Sequence, residues 1–357
     1  MSVSQGVNPT IEVRNGESFD VSSLVSFLNT QFDSLSEDVR VSQYPSGRSN
    51  LTYLLEFSGR SLVMRRPPFG TKAKTAHDMS REFTVMSGLK SQFGSVPEVF
   101  LYCADESVIG ADFIIMEKVD GALLGREFST DWGWGKSEAR QFCVGFWDRM
   151  VALHSLKYSD VGMGELGKPF GYVERQIRGW NRRFTKARTS DAPSCEKIMA
   201  WLEERIGEDG EACVLHNDYR IDNVILDSND RFRIAAVLDW EMAAVGNPLM
   251  DLGNSLAYWT EPSDSVEARK ASSQPSDAPG MLTRKEIIEH YGRRTGRDVS
   301  EFSFYYVYGL FRLACIIQQI YYRYYHKQTS DERFAGWVSE VHRLAVQCEE
   351  VMDGKEI

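Results

Sequence analysis

Between residues 41 and 117 the chain is written in short β-rich runs, and after Asp120-Gly121 it changes to long amphipathic helical patterns. The runs 41–44, 51–57, 61–65, 99–103 and 113–117 are separated by turn residues such as Ser58-Gly59, as strands of a small antiparallel sheet should be. One helix interrupts them after the third run. Thr75 with Asp78 resembles a capping box opening that helix, and Met79, Phe83, Met86 and Phe93 fall on its apolar face. The helical patterns that follow cover 137–156, 172–187 and 195–206. Two short apolar runs, 214–215 and 234–238, each end in polar residues, and helices resume from Pro248. A Pro/Ser-rich stretch, 261–280, reads as a long loop. A single change of period partway along a chain predicts an α+β fold with a small five-stranded sheet part and a larger, mainly helical part. The division expected is a lead segment 1–36 with a helix over 21–32, a sheet part 37–118 and a helical part 119–357.

At 357 residues the chain is long enough for two unequal units. Its 42% hydrophobic and 26% charged residues are those of an ordinary globular protein, and no stretch approaches the roughly 18 apolar residues of a membrane span. The most apolar helical pattern, 305–325, is broken by Arg312 and Arg323. Residues 1–12 lack a basic start followed by an apolar run, so no secretory signal is read and a cytoplasmic location is expected. The net charge of −10 argues against nucleic acid as a partner, because phosphate binding wants a basic face. Cys103, Cys143, Cys195, Cys213, Cys315 and Cys348 are scattered, with no Cys-x-x-Cys pair, and read as reduced structural thiols. Oligomeric state has no signature in the sequence.

The densest chemistry lies in His216-Asn217-Asp218-Tyr219-Arg220-Ile221-Asp222-Asn223, followed by Asp239-Trp240 at the end of the run 234–238. Phosphoryl transfer needs a carboxylate to orient a hydroxyl and accept its proton, and oxygen ligands to hold Mg²⁺ against nucleotide phosphates. Asp218 suits the first task, and Asn223 with Asp239 the second. A polar turn between two core strands would explain the residue types, but not a second acid waiting at the next strand end.

These residues resemble the aminoglycoside phosphotransferase family, relatives of the protein kinases, whose catalytic loop has its Asp and Asn five apart. Val237-Leu238-Asp239-Trp240-Glu241, Gly246-Asn247-Pro248-Leu249 and Asp251-Leu252 are similar to the branch that includes kinase-like domains fused to some acyl-CoA dehydrogenases. The usual His-Gly-Asp of the family is His-Asn-Asp here. The resemblance implies a bilobal, protein-kinase-like fold and an ATP- and Mg²⁺-dependent phosphotransferase. Asp251 is implied to brace the catalytic loop.

The sheet part offers the rest of a nucleotide site. In Ser46-Gly47-Arg48-Ser49-Asn50 a tight turn can aim backbone N–H groups at phosphate oxygens, with Gly47, Ser49 and Asn50 the candidates; a plain hairpin is the alternative. Arg65 stands where protein kinases carry a third-strand Lys, and Glu82 lies on the apolar face of the next helix, so that its burial calls for a cation. Strand alternation sends Arg65 and Arg66 to opposite faces. An ordinary surface Arg–Glu pair is the alternative. Met116-Glu117-Lys118-Val119 is implied to meet the adenine edge through the backbone of Glu117 and Val119.

The acceptor is less legible. Arg312, Gln319 and Arg323 share one helical face among aromatic residues, which suits an anionic group on a partly apolar molecule; a plain amphipathic surface is the alternative. The resemblance favours a hydroxy acid or hydroxyacyl-CoA as acceptor, with an aminoglycoside second. A kinase-like protein that binds nucleotide without catalysis is the remaining class, although none of Asp218, Asn223 and Asp239 is lost.

Overall fold

Residues 51–57 and 60–66 are apolar at alternate positions on one face, Leu51, Tyr53, Leu55 and Phe57 with Leu62 and Met64, and bury Leu54 and Val63 on the other, so both sides of these strands need cover. The computed structural model, which describes residues 9–33, 35–45, 50–68, 78–164 and 167–357, pairs them as neighbours in a five-stranded antiparallel sheet. Its strands are β1 (Val39–Gln43), β2 (Leu51–Phe57), β3 (Arg60–Arg66), β4 (Val99–Cys103) and β5 (Phe113–Glu117), in the order β1-β2-β3-β5-β4. The five strands expected from the sequence are those observed, with β1 beginning two residues earlier.

One face of this sheet is closed by α1 (Val21–Leu28), whose Leu24, Val25 and Leu28 pack with Tyr53, Leu55, Leu62, Met64, Phe113 and Ile115. Asp20 caps α1 by accepting from the Ser23 N–H, and the helix ends four residues sooner than predicted. The helix of the lead segment is therefore part of the sheet's core. The opposite face receives α2 (Met79–Lys90), capped by Asp78, which accepts from the Arg81 N–H. Thr75 of the expected capping box lies outside the described residues. The buried stripe of α2 is Met79, Glu82, Val85, Met86 and Leu89; Phe83 is only half-buried, and Phe93 falls in the turn after the helix.

The chain divides into two compact units, and the cut is not linear. The first takes the described residues of Met1–Leu124 together with Ser159–Met163 and Asp222–Ala243; the second takes Gly125–Tyr158, Gly164–Ile221 and Ala244–Ile357. The return of Asp222–Ala243 to the first unit crosses the boundary expected at 118/119. It follows from a three-stranded sheet, β6-β8-β9, in which Gly121–Leu123 (β6) pairs with Val224–Asp227 (β8), and β8 with Ile234–Val237 (β9).

The second unit is mainly helical: α3 (Lys136–His154), α4 (Tyr172–Ala187), α5 (Glu196–Glu204), α6 (Pro248–Ala257), α7 (Val266–Ala271), α8 (Arg284–Thr295), α9 (Phe302–Tyr325) and α10 (Trp337–Met352). A two-stranded ladder joins β7 (Cys213–Leu215) to β10 (Ala244–Gly246). The central element is α9, which packs against α4, α6 and α10 and is buried along most of its length. It meets α6 backbone to backbone. A Cβ on Gly309 would come within 2.1 Å of the Gly253 carbonyl oxygen, and one on Gly253 within 2.2 Å of that of Tyr305.

The predicted loop 261–280 contains α7 and is tied down. Arg126 makes a two-pronged pair with Asp277 (2.6 and 2.8 Å), and Arg284 does the same with Asp264 (2.8 Å for both). Turn-forming composition concealed a short helix held by ion pairs rather than by apolar periodicity.

Candidate active site

In the first unit the site is built on β3, α2 and the end of β9. The register of β3 against β2 puts Arg65 opposite Thr52 and Arg66 opposite Leu51, and their side chains leave on opposite faces as predicted. Arg66 is fully buried and donates to the Ile109 carbonyl (3.0 Å). Arg65 turns toward α2. Its Nε lies 3.1 Å from Glu82 Oε2, and its Nη2 lies 2.5 Å from Asp239 Oδ1 and 3.7 Å from Glu241 Oε2. Asn50 Nδ2 donates to the same Glu241 oxygen at 2.8 Å.

Glu82 is 1% exposed, so the surface-pair alternative does not describe it. Burial pushes its carboxyl pKa up; Arg65 opposes the shift, and the neighbouring Asp239 adds to it. Three carboxylates therefore share one guanidinium. A structural pair would need only one acid, and the surplus of negative charge suits a further cation.

Asp239 leaves β9 in the left-handed region, at φ 67°, a conformation uncommon for a residue with a side chain. The ladder fixes its neighbourhood: Val224 pairs with Val237, and the Leu238 N–H donates to the Asn223 carbonyl at 2.8 Å. Asn223 and Asp239 are thus carried on adjoining strand ends. Among the described residues no three His, Cys, Asp or Glu side chains gather as a metal cage. Asp239 and Asn223 would offer one carboxylate and one amide oxygen, hard donors that leave most of a Mg²⁺ shell to phosphate and water, so the residue types present fit that ion.

In the second unit the loop 216–221 leaves β7. Asp251, fully buried on α6, accepts from the backbone N–H groups of His216 and Asn217, both at 2.7 Å, and lies 3.2 Å from His154 Nε2. Burial pushes its carboxyl pKa up, but the His154 contact, the histidine charges and the His216 N–H outweigh burial and hold it below the usual range. The brace implied for Asp251 is a direct grip on the loop backbone.

Asn217 has φ 63°, and three further groups hold it: Tyr172 Oη (3.3 Å) and Asn254 Nδ2 (3.1 Å) donate to its Oδ1, and Arg312 Nη2 (2.9 Å) to its carbonyl. The Asp218 carboxylate faces the Arg220 Nε at 3.3 Å, and the Arg220 guanidinium lies 4.7 Å over the Tyr258 ring. Tyr219 Oη donates to the Phe146 carbonyl at 2.7 Å, and the Ile221 N–H to Gln274 Oε1 at 2.8 Å.

The other expected positions fall as follows. Glu117, ending β5, accepts from Lys90 Nζ and from the Glu98 N–H, both at 3.0 Å, and Val119 lies in the irregular link after it. Gly47 and Ser49 lie outside the described residues. Arg312, Gln319 and Arg323 do not form one exposed patch: Arg312 is buried against the loop 216–221, Gln319 is half-buried and Arg323 is exposed. Spacing placed them on one helical side, but the apolar stripe of α9 is wide enough to swallow Arg312. Glu241, Asn254 and His154 escaped sequence reasoning. Glu241 stood two residues after Asp239, and Asn254 shares the face of α6 that carries Asp251, so both had a signal in their spacing.

The model of the phosphotransferase enzyme family matches residues 40–287. Acyl-CoA dehydrogenase family member 11 of Rattus norvegicus is 32% identical over 330 residues, which cover 90% of this chain and 42% of that protein. The chain spans less than half the length of the curated relatives it matches. A solved structure from Ralstonia eutropha, provisionally named an aminoglycoside phosphotransferase, shares 28% identity at a TM-score of 0.79, covering 95% of this chain and 100% of that one. A thermostable mutant of the aminoglycoside phosphotransferase APH(4)-Ia, solved with ADP and hygromycin B, has 16% identity and a TM-score of 0.56, covers 94% of this chain and 100% of its own, and is alike in fold alone.

Proposed function

The chain belongs to the phosphotransferase enzyme family, and from that premise we propose that it transfers the γ-phosphoryl group of Mg²⁺-bound ATP to a hydroxyl of a small molecule. The observation that carries the reading is the Arg65 cluster, one guanidinium among Glu82, Asp239 and Glu241. Bound Mg²⁺ would neutralise charge on the nucleotide phosphates. Glu82 fixes Arg65 from behind, so that its Nη groups are presented to phosphate oxygens with little loss of side-chain freedom. Asp239 and Asn223 would hold the ion, Asn50 would steady Glu241, and the backbone of Glu117 and Val119 would meet the adenine. Gly47 and Ser49 are proposed phosphate contacts through their N–H groups. Asp218 orients the acceptor hydroxyl and takes its proton, from a loop whose backbone is clamped by Asp251 and Arg312. Catalysis of this kind is positioning and charge stabilisation rather than covalent chemistry.

The preferred acceptor is a hydroxy acid or hydroxyacyl-CoA. The similarity to acyl-CoA dehydrogenase family members supports that choice; an aminoglycoside is the second reading, supported by neighbours of that name. The test is coupled ADP release against hydroxy acids, their CoA esters and aminoglycosides, with Asp218→Asn as control. Loss of transfer by about a thousandfold or more, with ATP affinity kept, is the expected result. Full activity in Asp218→Asn would remove it as the base. ATP binding by the wild type with no transfer to any acceptor would favour a non-catalytic nucleotide-binding protein.

A further inference from the structure

Polar residues of a connecting segment belong at the surface, yet within 261–280 Gln274 is only 2% exposed. A buried amide is tolerated where its atoms are bonded, and both ends of this one are. Its Oε1 accepts from the Ile221 N–H at 2.8 Å, and its Nε2 donates to the Tyr258 carbonyl at 3.1 Å. Ile221 follows Asp218 in the same loop and opens the short turn 221–223, whose first N–H has no partner within the turn itself. Tyr258 is the C-cap of α6. Its ring lies 4.7 Å beneath the Arg220 guanidinium, whose Nε faces the Asp218 carboxylate at 3.3 Å. One side chain thus reaches Asp218 by two routes, along the backbone through Ile221 and through space by way of Tyr258 and Arg220.

The backbone of Gln274 is itself held from behind. Its carbonyl accepts from Arg126 Nη1 and from Ser272 Oγ, both at 3.2 Å. Asp277 accepts from Arg126 and also from Arg269 Nε at 3.1 Å, and Ser276 Oγ accepts from the Thr260 N–H at 2.9 Å. A side chain that served only to tie the segment to α6 would need the Tyr258 carbonyl and nothing more; the bond to Ile221 goes to the loop that carries Asp218. We propose that Gln274 is a positioning residue for Asp218, holding the N–H that ends its loop and seating the Tyr258–Arg220 stack against its carboxylate. The segment 261–280 then sets the geometry of proton acceptance from one step behind the reacting atoms. This rests on the reading of Asp218 as the base, given above.

Two substitutions in the full chain test it. Gln274→Met keeps the volume and loses both bonds, whereas Gln274→Glu keeps an acceptor for Ile221 but sets a carboxylate oxygen against the Tyr258 carbonyl. Both should lower Tm, with Gln274→Glu at or below Gln274→Met because its charge is buried. Amide exchange at Ile221, followed by mass spectrometry without ligand, should run about fivefold or more faster in Gln274→Met and return toward wild type in Gln274→Glu. In the ADP-release assay, with the acceptor that the wild type phosphorylates, kcat should fall about tenfold or more in Gln274→Met and recover in Gln274→Glu. The KM values for ATP and acceptor should stay within about twofold. A merely structural tie would make kcat follow Tm. That order, unchanged exchange at Ile221 in Gln274→Met, or a raised KM at unchanged kcat would each overturn the proposal. If the wild type phosphorylates no acceptor, the base reading falls, and exchange at Ile221 alone decides the grip on the loop: lost in Gln274→Met and recovered in Gln274→Glu it stands, unchanged in both it falls.

Discussion

Asn217 occupies the middle of the His-x-Asp triplet at φ 63°, where glycine is at ease and asparagine is the least strained of the other residues. The departure from His-Gly-Asp is thus permitted by backbone geometry, and the side chain gained is put to use by Tyr172 and Asn254. Asn217→Gly should lose those two contacts, about 1–2 kcal/mol, and Asn217→Ala should lose about 1 kcal/mol more, because it adds left-handed strain without restoring a bond. Urea unfolding of the two variants checks the order; equal stability would mean that the strain is relieved by loop movement. Asp218, Asn223, Asp239, Arg65 and Glu82 were legible as candidates because charged and amide residues at fixed intervals on strand ends have few other uses. Arg312 was legible as a face but not as a partner. Its target is a backbone carbonyl ninety-five positions away, and carbonyls leave no mark in a sequence.

At the scale of elements, the contact between α6 and α9 carries the loop. Helix α6 supplies Asp251 and Asn254, α9 supplies Arg312, and Gly253 and Gly309 let the two backbones meet between them. Gly309→Ala would drive a methyl into the Gly253 carbonyl, costing about 3 kcal/mol and separating the helices. We expect a lower Tm together with a reduced kcat, since both grips on Asn217 would loosen; unchanged kcat at reduced Tm would mean that the loop is positioned without α9. The five-stranded sheet was readable because period-two alternation persists over five to seven residues. Strands β6, β8 and β10 were missed for the opposite reason: at three or four residues they hold no more than two repeats of the period-two pattern, too few to tell alternation from accident.

For the whole molecule, acid stability should follow Asp251. Its pKa is lowered in the folded state, so its contribution is fully present above the unfolded value of about 3.9 and is lost as pH falls through the lower folded value. Asp251→Asn should flatten the acid limb of a plot of stability against pH and cost about 3 kcal/mol at neutral pH, where the wild type has the buried carboxylate and its partners. Denaturation from pH 2 to 7 measures both. The sequence placed a boundary where the sheet ends at 118, yet 222–243 return to the first unit, because pairing between distant strands is decided by the ladder and not by composition.

All six cysteines are free and buried, and burial pushes the thiols of Cys143 and Cys195 up to about 12. Such thiols are closed to alkylation unless the chain around them opens. Cys103 alone belongs to the first unit, while the remaining five belong to the second. The protein therefore carries an internal clock for its own breathing. Pulsed thiol labelling followed by mass spectrometry would date the opening of each unit separately, and modification of Cys103 before the others would mark the sheet unit as the one that yields first.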